Sequence, residues 1–333
     1  MFAALSKVHL RQVCALGRHG GASARLLRQL RQKSAKPAKY AFVGAGQMGE
    51  AMIAPLIKKS VLGHLPIISF FDVSEQVSNR VQTAYPSAHR AKNMAECVQD
   101  ADVVVLCTKP QNSDVVFAEL KPLLAKSDPV LLSILAGVTI DAFVSGIGIT
   151  KVLRSMPNTP GMIGHGMTVW TKNKQATFSD DELTLAIASL KAMGKEIFVE
   201  DENFIDMSTS ISGSGPAYVY LLIEAMVDAG VQEGFSREVA SELVHQTILG
   251  ATLHSMKSGE HPAVLKNSVT SPAGTTASAI YTLERGNFRT VVQDAIWSCY
   301  RRSLEMAGKD PRVGPGRSAG PRPSTEIPDS RFR

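Results

Sequence analysis

The segment KYAFVGAGQMGEAMIAPLIKK, residues 39–59, decides the fold. Apolar residues lead up to Val43, glycines follow at positions 44, 46 and 49, and apolar residues with helical spacing come next. This order predicts a buried strand, a tight turn and a helix. The first glycine permits the turn, the second lets the backbone approach a pyrophosphate, and the third lets helix and strand pack closely. Free N–H groups at the helix start favour phosphate. The segment therefore predicts dinucleotide binding, with an ordinary glycine turn as the alternative.

Strand patterns alternate with helical stretches up to about residue 200. The strands are LPIISFFD at 65–72, DADVVVLCTKP at 100–110, DPVLLSILAGVT at 128–139, KVLRSMPNTP at 151–160 and GMTVWT at 166–171. Helical spacing lies between them at 74–84 and 179–193. This alternation predicts an α/β N-terminal Rossmann domain over 40–201, with a doubly wound, mainly parallel sheet. The runs 202–231, 236–257 and 277–305 have helical spacing and predict an all-α C-terminal domain over 202–308.

Positive charge is concentrated at the two ends of the chain. Residues 1–39 carry nine Lys and Arg and no acid, and residues 309–333 carry six basic and three acidic residues. Subtracting these from totals of 36 basic and 30 acidic residues leaves 21 basic and 27 acidic residues. The body of the chain, residues 40–308, therefore has a net charge of −6. A mildly acidic body argues against a nucleic-acid partner. The tail 309–333 is rich in Pro, Gly and Arg and is predicted to be disordered.

The basic leader, residues 1–39, is rich in Ala, Leu and Arg. This composition is typical of organelle targeting peptides, so we expect a mitochondrial protein, with plastid and cytoplasmic locations as alternatives. No stretch approaches the ~20 apolar residues that a membrane span needs. The four cysteines, Cys14, Cys97, Cys107 and Cys299, are scattered without zinc-site spacing. They are expected to be free thiols, and no metal is expected.

Asp72 ends the second strand, 23 residues beyond Gly49. A carboxylate at this position typically accepts hydrogen bonds from the adenosine ribose and repels a 2′-phosphate. No Lys or Arg follows until Arg80. Asp72 therefore favours NADH over NADPH, although the residue also suits the N-cap of the next helix.

Three later stretches have unusual compositions: RSMPNTP at 154–160, SISGSGPAY at 210–218 and SPAGTT at 271–276. The prolines of the first fix its geometry. Small residues in the second suit close packing against a ligand or another subunit. The third opens a helix with hydroxyl groups and free N–H groups, which suits a carboxylate. Taken singly, each stretch is also explained by helix capping and packing.

Together with VGAGQMG, CTKP at 107–110 and LAGVT at 135–139, these motifs resemble those of pyrroline-5-carboxylate reductase. The most specific element is SGEHPAVLKNSVTSPAGTTASAIYTLERGNF at 258–288, and the resemblance runs from Tyr40 to Ala307. It implies reduction of 1-pyrroline-5-carboxylate to L-proline, the last step of proline biosynthesis, with NADPH or NADH. It also implies that the all-α C-terminal domain is a dimerisation domain that interlocks with its partner in a homodimer, and that dimers assemble into a decamer.

The resemblance also implies the site residues. Cofactor contacts are implied at Val43, Gly44, Ala45, Gly46, Gln47, Met48, Asn93, Thr108, Lys109, Pro110 and Ala136. Substrate contacts are implied at Glu202, Ser271, Gly274, Thr275 and Thr276. We expect Thr276 to be catalytic in the limited sense that its hydroxyl orients the imine nitrogen, with a helix cap as the alternative.

Two rival functions stay open. One is a related imine or β-hydroxyacid dehydrogenase, a class that carries a Lys on the first long interdomain helix and an Asn four residues before it. The matching run GPAYVYLLIEAMVDAG, residues 215–230, contains neither residue. The other rival is a non-catalytic dinucleotide sensor, which would bind NAD(P)H without turnover.

Overall fold

The computed structural model describes residues 36–315, and its N-terminal part is built on one eight-stranded sheet. The strand order is β3-β2-β1-β4-β5-β6-β7-β8. Strands β1 to β6 pair in parallel, β7 runs antiparallel to β6, and β8 is parallel to β7. The strands are β1 Lys39–Val43, β2 Ile67–Phe71, β3 His89–Arg90, β4 Val103–Leu106, β5 Val130–Ser133, β6 Val152–Met156, β7 Gly166–Lys172 and β8 Gly194–Phe198.

Helices cover both faces of this sheet. They are α1 Gln47–Leu56, α2 Glu75–Ala84, α3 Met94–Val98, α4 Ser113–Leu124, α5 Ile140–Ile147 and α6 Asp180–Ala192. Separate apolar clusters lie on the two faces, one around Phe42 and Met52 and the other around Leu106 and Phe143. Every residue of β4 and β5 is buried, which explains why these strands show no polar alternation.

The chain changes from strands to helices after β8. The C-terminal helices are α7 Asn203–Ser208, α8 Gly215–Gln232, α9 Arg237–Ser258, α10 Pro262–Ser268, α11 Thr275–Arg285 and α12 Phe288–Met306. A turn of π-helix, Thr209–Gly213, joins α7 to α8. Ser236 caps α9 by accepting a hydrogen bond from the Val239 N–H, and Gly259 ends it in the left-handed conformation.

The predicted fold class is confirmed: a mainly parallel Rossmann sheet precedes a helical region. Six elements were not predicted at their positions, namely the strands β3 and β8 and the helices α3, α4, α5 and α10. The run 277–305 is helical as predicted, but it is divided between two helices, because α11 ends at Arg285 and α12 begins at Phe288. Asn287, between them, adopts a φ of 56°, which interrupts a continuous helix.

The helical region leaves large apolar side chains in contact with solvent in a single chain. Leu221 is 67% exposed, Leu249 is 53% exposed and Val291 is 61% exposed. Its own core is limited to a small cluster around Val227 and Val244. Apolar area of this extent is typical of a surface that another chain covers.

Part of the segment 309–333, predicted to be disordered, is ordered. Residues 309–315 contact the helices instead. The Lys309 ammonium lies 2.7 Å from an Asp206 carboxylate oxygen, and the Val313 carbonyl accepts a hydrogen bond from Arg301. The ion pair explains the order, because Asp206 is buried and needs partners. The predictions for residues 1–35, including Cys14, and for residues 316–333 lie outside the described residues.

Two predictions for residues 40–308 concern membrane spans and cysteines. Within residues 36–315, no helix has both the length and the apolar character required to cross a membrane. Cys97, Cys107 and Cys299 are free thiols.

Candidate active site

Gly44 and Gly46 lie in the loop after β1, and Gly49 lies in the first turn of α1. A side chain would have a different steric consequence at each of these three positions. Gly44 has a φ of 94°, and a Cβ there would lie 2.8 Å from the Cys107 carbonyl carbon. A Cβ on Gly49 would lie 2.5 Å from the Gly44 oxygen, so α1 packs directly on the turn. A Cβ on Gly46 would meet nothing within 4 Å. Gly46 therefore leaves open space where a ligand can approach the backbone.

A cleft of about 520 Å³ lies at the carboxyl ends of β1, β2 and β4, next to this loop. The predicted residues that line it are Val43, Gly44, Gly46, Asp72, Thr108 and Lys109. Lining residues that the sequence did not indicate are Phe71, Val73, Ser74, Val77, Met94, Cys107, Asn112, Val115, Val116 and Glu119. Their apolar members give the cleft a wall against which a planar ring can pack.

Six predicted cofactor residues do not line this cleft. Three of them, Ala45, Gln47 and Met48, belong to the loop itself or to the start of α1. Asn93 caps α3, where its side-chain oxygen accepts a hydrogen bond from the Glu96 N–H at 2.9 Å. Pro110 and Ala136 line two neighbouring cavities between the sheet and α12.

Asp72 supports the glycine loop directly. One carboxylate oxygen accepts a hydrogen bond from the Ala45 N–H at 2.8 Å, and the other accepts one from the Ser74 N–H at 2.9 Å. The alternative of Asp72 as the helix N-cap is wrong, because Ser74 caps α2. A carboxylate has about four lone-pair positions, so Asp72 retains capacity for a ribose hydroxyl.

Thr108 and Cys107 form the floor of the cleft. The Thr108 hydroxyl is buried and forms no hydrogen bond with any residue in the described range. A buried hydroxyl without a partner is costly, so this atom suits a ligand that supplies one. Burial raises the pKa of the Cys107 thiol, which keeps it neutral. The open backbone at Gly46 and the unpaired Thr108 hydroxyl both fit a dinucleotide.

A second cavity, of about 600 Å³, lies between Ala136 and the helices α8 and α12. Tyr218 and Ser303 line it, and the hydroxyl oxygens of both are buried without a well-formed hydrogen bond to any described residue. The Cys299 thiol, also in the wall, donates to the Ser214 hydroxyl at 3.3 Å. Burial, followed by the neighbouring Cys299, raises the pKa of Tyr218 to about 12.

A cluster of buried charges joins the sheet to the helical region. The Arg154 side chain is fully buried and pairs with Glu202 at 2.8 Å and with Asp206 at 2.5 Å. The same Glu202 oxygen accepts the Ile140 N–H at 2.9 Å, and Lys309 pairs with Asp206. The negative charges of the two acids, Glu202 and Asp206, are therefore balanced by the positive charges of Arg154 and Lys309. Glu202, predicted to contact substrate, does not line the cofactor cleft, because Arg154 and Ile140 hold its carboxylate at this junction.

The motifs RSMPNTP and SISGSGPAY are in contact with each other. The Asn158 amide donates to the Ser212 carbonyl at 3.0 Å, and its oxygen accepts the Met167 N–H at 2.9 Å. A Cβ on Gly213 would lie 2.7 Å from the Met156 side chain. The small residues therefore allow α8 to begin close to the end of β6.

The loop Ser271–Thr276 has the geometry of an anion-binding turn. Its backbone folds back through a hydrogen bond from the Gly274 N–H to the Ser271 carbonyl, and Ala273 has a φ of 59°. Thr275 and Thr276 open α11, so their N–H groups have no helical partner. No residue of this loop lines the cofactor cleft, and Ser271 and Thr275 are exposed. A single chain therefore does not bring the predicted substrate residues to the cofactor.

His261 has a structural role at the start of α10. Its Nδ1 atom accepts a hydrogen bond from the Ala263 N–H at 3.1 Å, which caps the helix. This contact explains the histidine that precedes Pro262.

Two family models match the chain. Residues 202–306 match the model described as pyrroline-5-carboxylate reductase dimerisation. Residues 39–137 match the model described as NADP oxidoreductase coenzyme F420-dependent. The first match coincides with the helices that expose apolar side chains, and the chain is therefore an oligomer-forming member of its family.

Curated relatives cover most of the chain. A pyrroline-5-carboxylate reductase from Synechocystis is 38% identical over 80% of this chain and 97% of its own length. The corresponding protein of Arabidopsis thaliana is 36% identical over 81% of this chain and 95% of its own length.

Solved structures of the same enzyme are also similar to this chain. A pyrroline-5-carboxylate reductase from Coxiella burnetii superposes with a TM-score of 0.70 at 32% identity, over 82% of this chain and 99% of that one. The Plasmodium falciparum pyrroline carboxylate reductase with NADP bound superposes with a TM-score of 0.71 at 29% identity, over 81% and 98% of the two chains. The chain belongs to the pyrroline-5-carboxylate reductase family.

Proposed function

We propose that this protein reduces 1-pyrroline-5-carboxylate to L-proline with a nicotinamide dinucleotide. The observation that supports the proposal is the combination, in one family member, of a cleft with open backbone at Gly46 and a loop at 271–276 whose turn geometry suits a carboxylate. The substrate is a cyclic imine with one carboxylate. Its protonated C=N carbon is an electrophile that requires no covalent nucleophile, and the reduced nicotinamide supplies the hydride when bound.

The protein's own residues would bind and orient these two molecules. The loop at Gly44 to Met48 and Thr108 would hold the dinucleotide, with Asp72 beside the ribose. The free N–H groups at Thr275 and Thr276 would anchor the substrate carboxylate. The Thr276 hydroxyl would hydrogen-bond the ring nitrogen and so orient the imine. Positioning of this kind accounts for a large part of enzymatic rate enhancement.

The loop 271–276 is mostly exposed in one chain, with Gly274 and Thr276 half-buried, and the helical region has an apolar surface suited to a second copy. We therefore propose that the loop of one subunit reaches the cofactor cleft of its partner. We further propose that dimers assemble into a decamer. Light scattering of the purified protein tests this assembly, and a mass of one dimer would contradict it.

Replacing Thr276 by Ala should lower kcat/KM for the pyrroline at least tenfold, about 1.4 kcal/mol of transition-state stabilisation. The reason is that the imine nitrogen loses its hydrogen-bond partner. Steady-state kinetics at saturating cofactor measure the effect. Thr282→Ala, on the exposed part of α11, is the matched control and should leave kcat/KM unchanged.

Wild-type kinetics in the Thr276→Ala protein would show that Thr276 has no catalytic role.

Mixed oligomers test the subunit arrangement separately. Co-assembly of Thr276→Ala subunits with subunits that cannot bind cofactor should restore activity if the loop acts across the interface. Absence of recovery in verified mixed oligomers would place the loop and the cofactor in the same subunit.

We propose a preference for NADH over NADPH. Asp72 lies beside the loop, and the nearest following cation, Arg80, is engaged with Glu50 at 3.0 Å rather than free to bind a phosphate. The Plasmodium falciparum relative has NADP bound, so a preference for NADPH is the alternative. The ratio of kcat/KM for the two cofactors measures the preference, and a higher value with NADPH would reject it.

We also propose a mitochondrial location, supported by the nine basic and no acidic residues of the segment 1–39. A fluorescent protein fused to this segment should co-localise with mitochondria. Diffuse or plastid fluorescence would contradict the proposal.

A further inference from the structure

The cavity between Ala136 and the helices α8 and α12 has a mainly apolar wall and two unusual polar atoms. Tyr218 and Ser303 both line it, and their hydroxyl groups are buried without a well-formed hydrogen bond within residues 36–315. Ser303 is only 3% exposed. An apolar pocket with a few placed polar groups is the usual form of a small-molecule site. The Tyr218 hydroxyl has only the Cys299 thiol and the Ser214 hydroxyl beside it, at poor geometry, and the Ser303 hydroxyl has no partner in the described range. Two such hydroxyl groups in one wall therefore indicate a ligand that pairs with them.

The hydrogen-bonding properties of the two hydroxyls narrow the ligand chemistry. Tyr218 keeps its proton at any ordinary assay pH, because burial raises its pKa to about 12, so its hydroxyl can donate a hydrogen bond. A serine hydroxyl can both donate and accept. A planar primary carboxamide matches this pair, since its carbonyl accepts from the tyrosine and its NH₂ group donates to the serine. A carboxylate would accept from both hydroxyls, so the position of the cavity, rather than the hydroxyls alone, selects the carboxamide.

The position of the cavity points to the source of such a carboxamide. Ala136, one of its lining residues, follows β5 at the same edge of the sheet as the glycine loop and Thr108. Parallel strands bring their carboxyl ends to one edge, where dinucleotides bind. The nicotinamide end of the cofactor is the part that carries a primary carboxamide.

We propose that Tyr218 and Ser303 bind the nicotinamide carboxamide of the cofactor, Tyr218 as donor to its carbonyl and Ser303 as acceptor from its amide group. This inference rests on the proposed function for the identity of the cofactor. It assigns to α8 and α12 a contact with the cofactor that the glycine motif does not reveal.

Direct titration of the cofactor tests this assignment without turnover. Tyr218→Phe and Ser303→Ala each remove one hydroxyl, and each should raise the Kd of NADH or NADPH about fivefold, the usual effect of one neutral hydrogen bond. Tyr220→Phe is the matched control: it removes a tyrosine hydroxyl on the same helix from a residue that is 58% exposed. Its Kd should equal that of the wild type.

The acetylpyridine analogue of the cofactor separates the two contacts. This analogue keeps the carbonyl but replaces the NH₂ group by methyl. Ser303→Ala should therefore bind the analogue as tightly as the wild type does, whereas Tyr218→Phe should bind it about fivefold more weakly.

Three results would overturn the assignment. They are an unchanged Kd in both variants, equal weakening of cofactor and analogue in Ser303→Ala, and a raised KM for the pyrroline with an unchanged cofactor Kd. A raised KM for the pyrroline with an unchanged cofactor Kd would assign the hydroxyls to the substrate. An unchanged Kd in both variants would mean that ordered water is their partner. Absence of pyrroline turnover in the wild type would reject the proposed function, while these binding data would still decide the carboxamide contact.

Discussion

Replacement of Asp206 by Ala should destabilise the protein by about 3–5 kcal/mol. Asp206 is fully buried and lies between two cations, Arg154 at 2.5 Å and Lys309 at 2.7 Å. Removing the carboxylate leaves the fully buried Arg154 with Glu202 alone and leaves Lys309 without a carboxylate among its contacts in the described range. An uncompensated buried charge is among the largest single-site penalties known.

Urea unfolding at one fixed protein concentration measures this loss, because the stability of an oligomer depends on concentration. The control is Asp228→Ala, which breaks an ion pair with Arg237 of similar length, 2.9 Å, but with both partners about half exposed or more. Exposed pairs contribute up to about 1 kcal/mol, so this variant should unfold nearly like the wild type. Equal effects in the two variants would show that the Arg154 cluster is not a strong link between sheet and helices.

Replacement of Gly49 by Ala should weaken both folding and cofactor binding. The added Cβ would lie 2.5 Å from the Gly44 oxygen and 3.3 Å from its carbonyl carbon, and these are backbone atoms of the turn. Either α1 must move away from β1 or the turn must deform. Overpacking of this kind costs about 1–3 kcal/mol, and the displaced turn should raise the cofactor Kd at least about tenfold.

Gly46→Ala is the matched comparison within the same loop. A Cβ there meets nothing within 4 Å, and Gly46 has an extended backbone that alanine adopts without strain. Gly46→Ala should therefore unfold like the wild type and lose cofactor affinity alone. Thermal unfolding and cofactor titration of both variants measure the two effects. A normal cofactor Kd in Gly46→Ala would mean that no ligand approaches the backbone at this position.

The sequence predicted the Rossmann half of the fold well because its signals are local. The uninterrupted apolar strands and the spacing of Gly44, Gly46 and Gly49 depend on neighbouring residues only. The two short strands β3 and β8 were not predicted, because their sequences lack such a local signal. Strand β3 has two residues, and β8 is an edge strand whose exposed residues include Ile197, so neither has a complete apolar pattern.

Parts of the candidate site depend on long-range contacts that no sequence spacing reveals. Arg154 and Asp206 are 52 positions apart and meet only because α7 packs on the sheet. Lys309 joins them from a segment whose composition suggested disorder. Tyr218 and Ser303 come from α8 and α12, and only the fold brings their buried hydroxyls to the same cavity as Ala136. The family resemblance identified the loop 271–276 but gave no indication that it is mostly exposed in a single chain.

The two halves of the molecule together should convert a cyclic imine to an amino acid. Measuring the loss of reduced cofactor and the formation of L-proline in the same reaction with 1-pyrroline-5-carboxylate tests this conversion. We expect one molecule of L-proline for each molecule of cofactor oxidised. Cofactor binding without oxidation, or oxidation without L-proline, would contradict it.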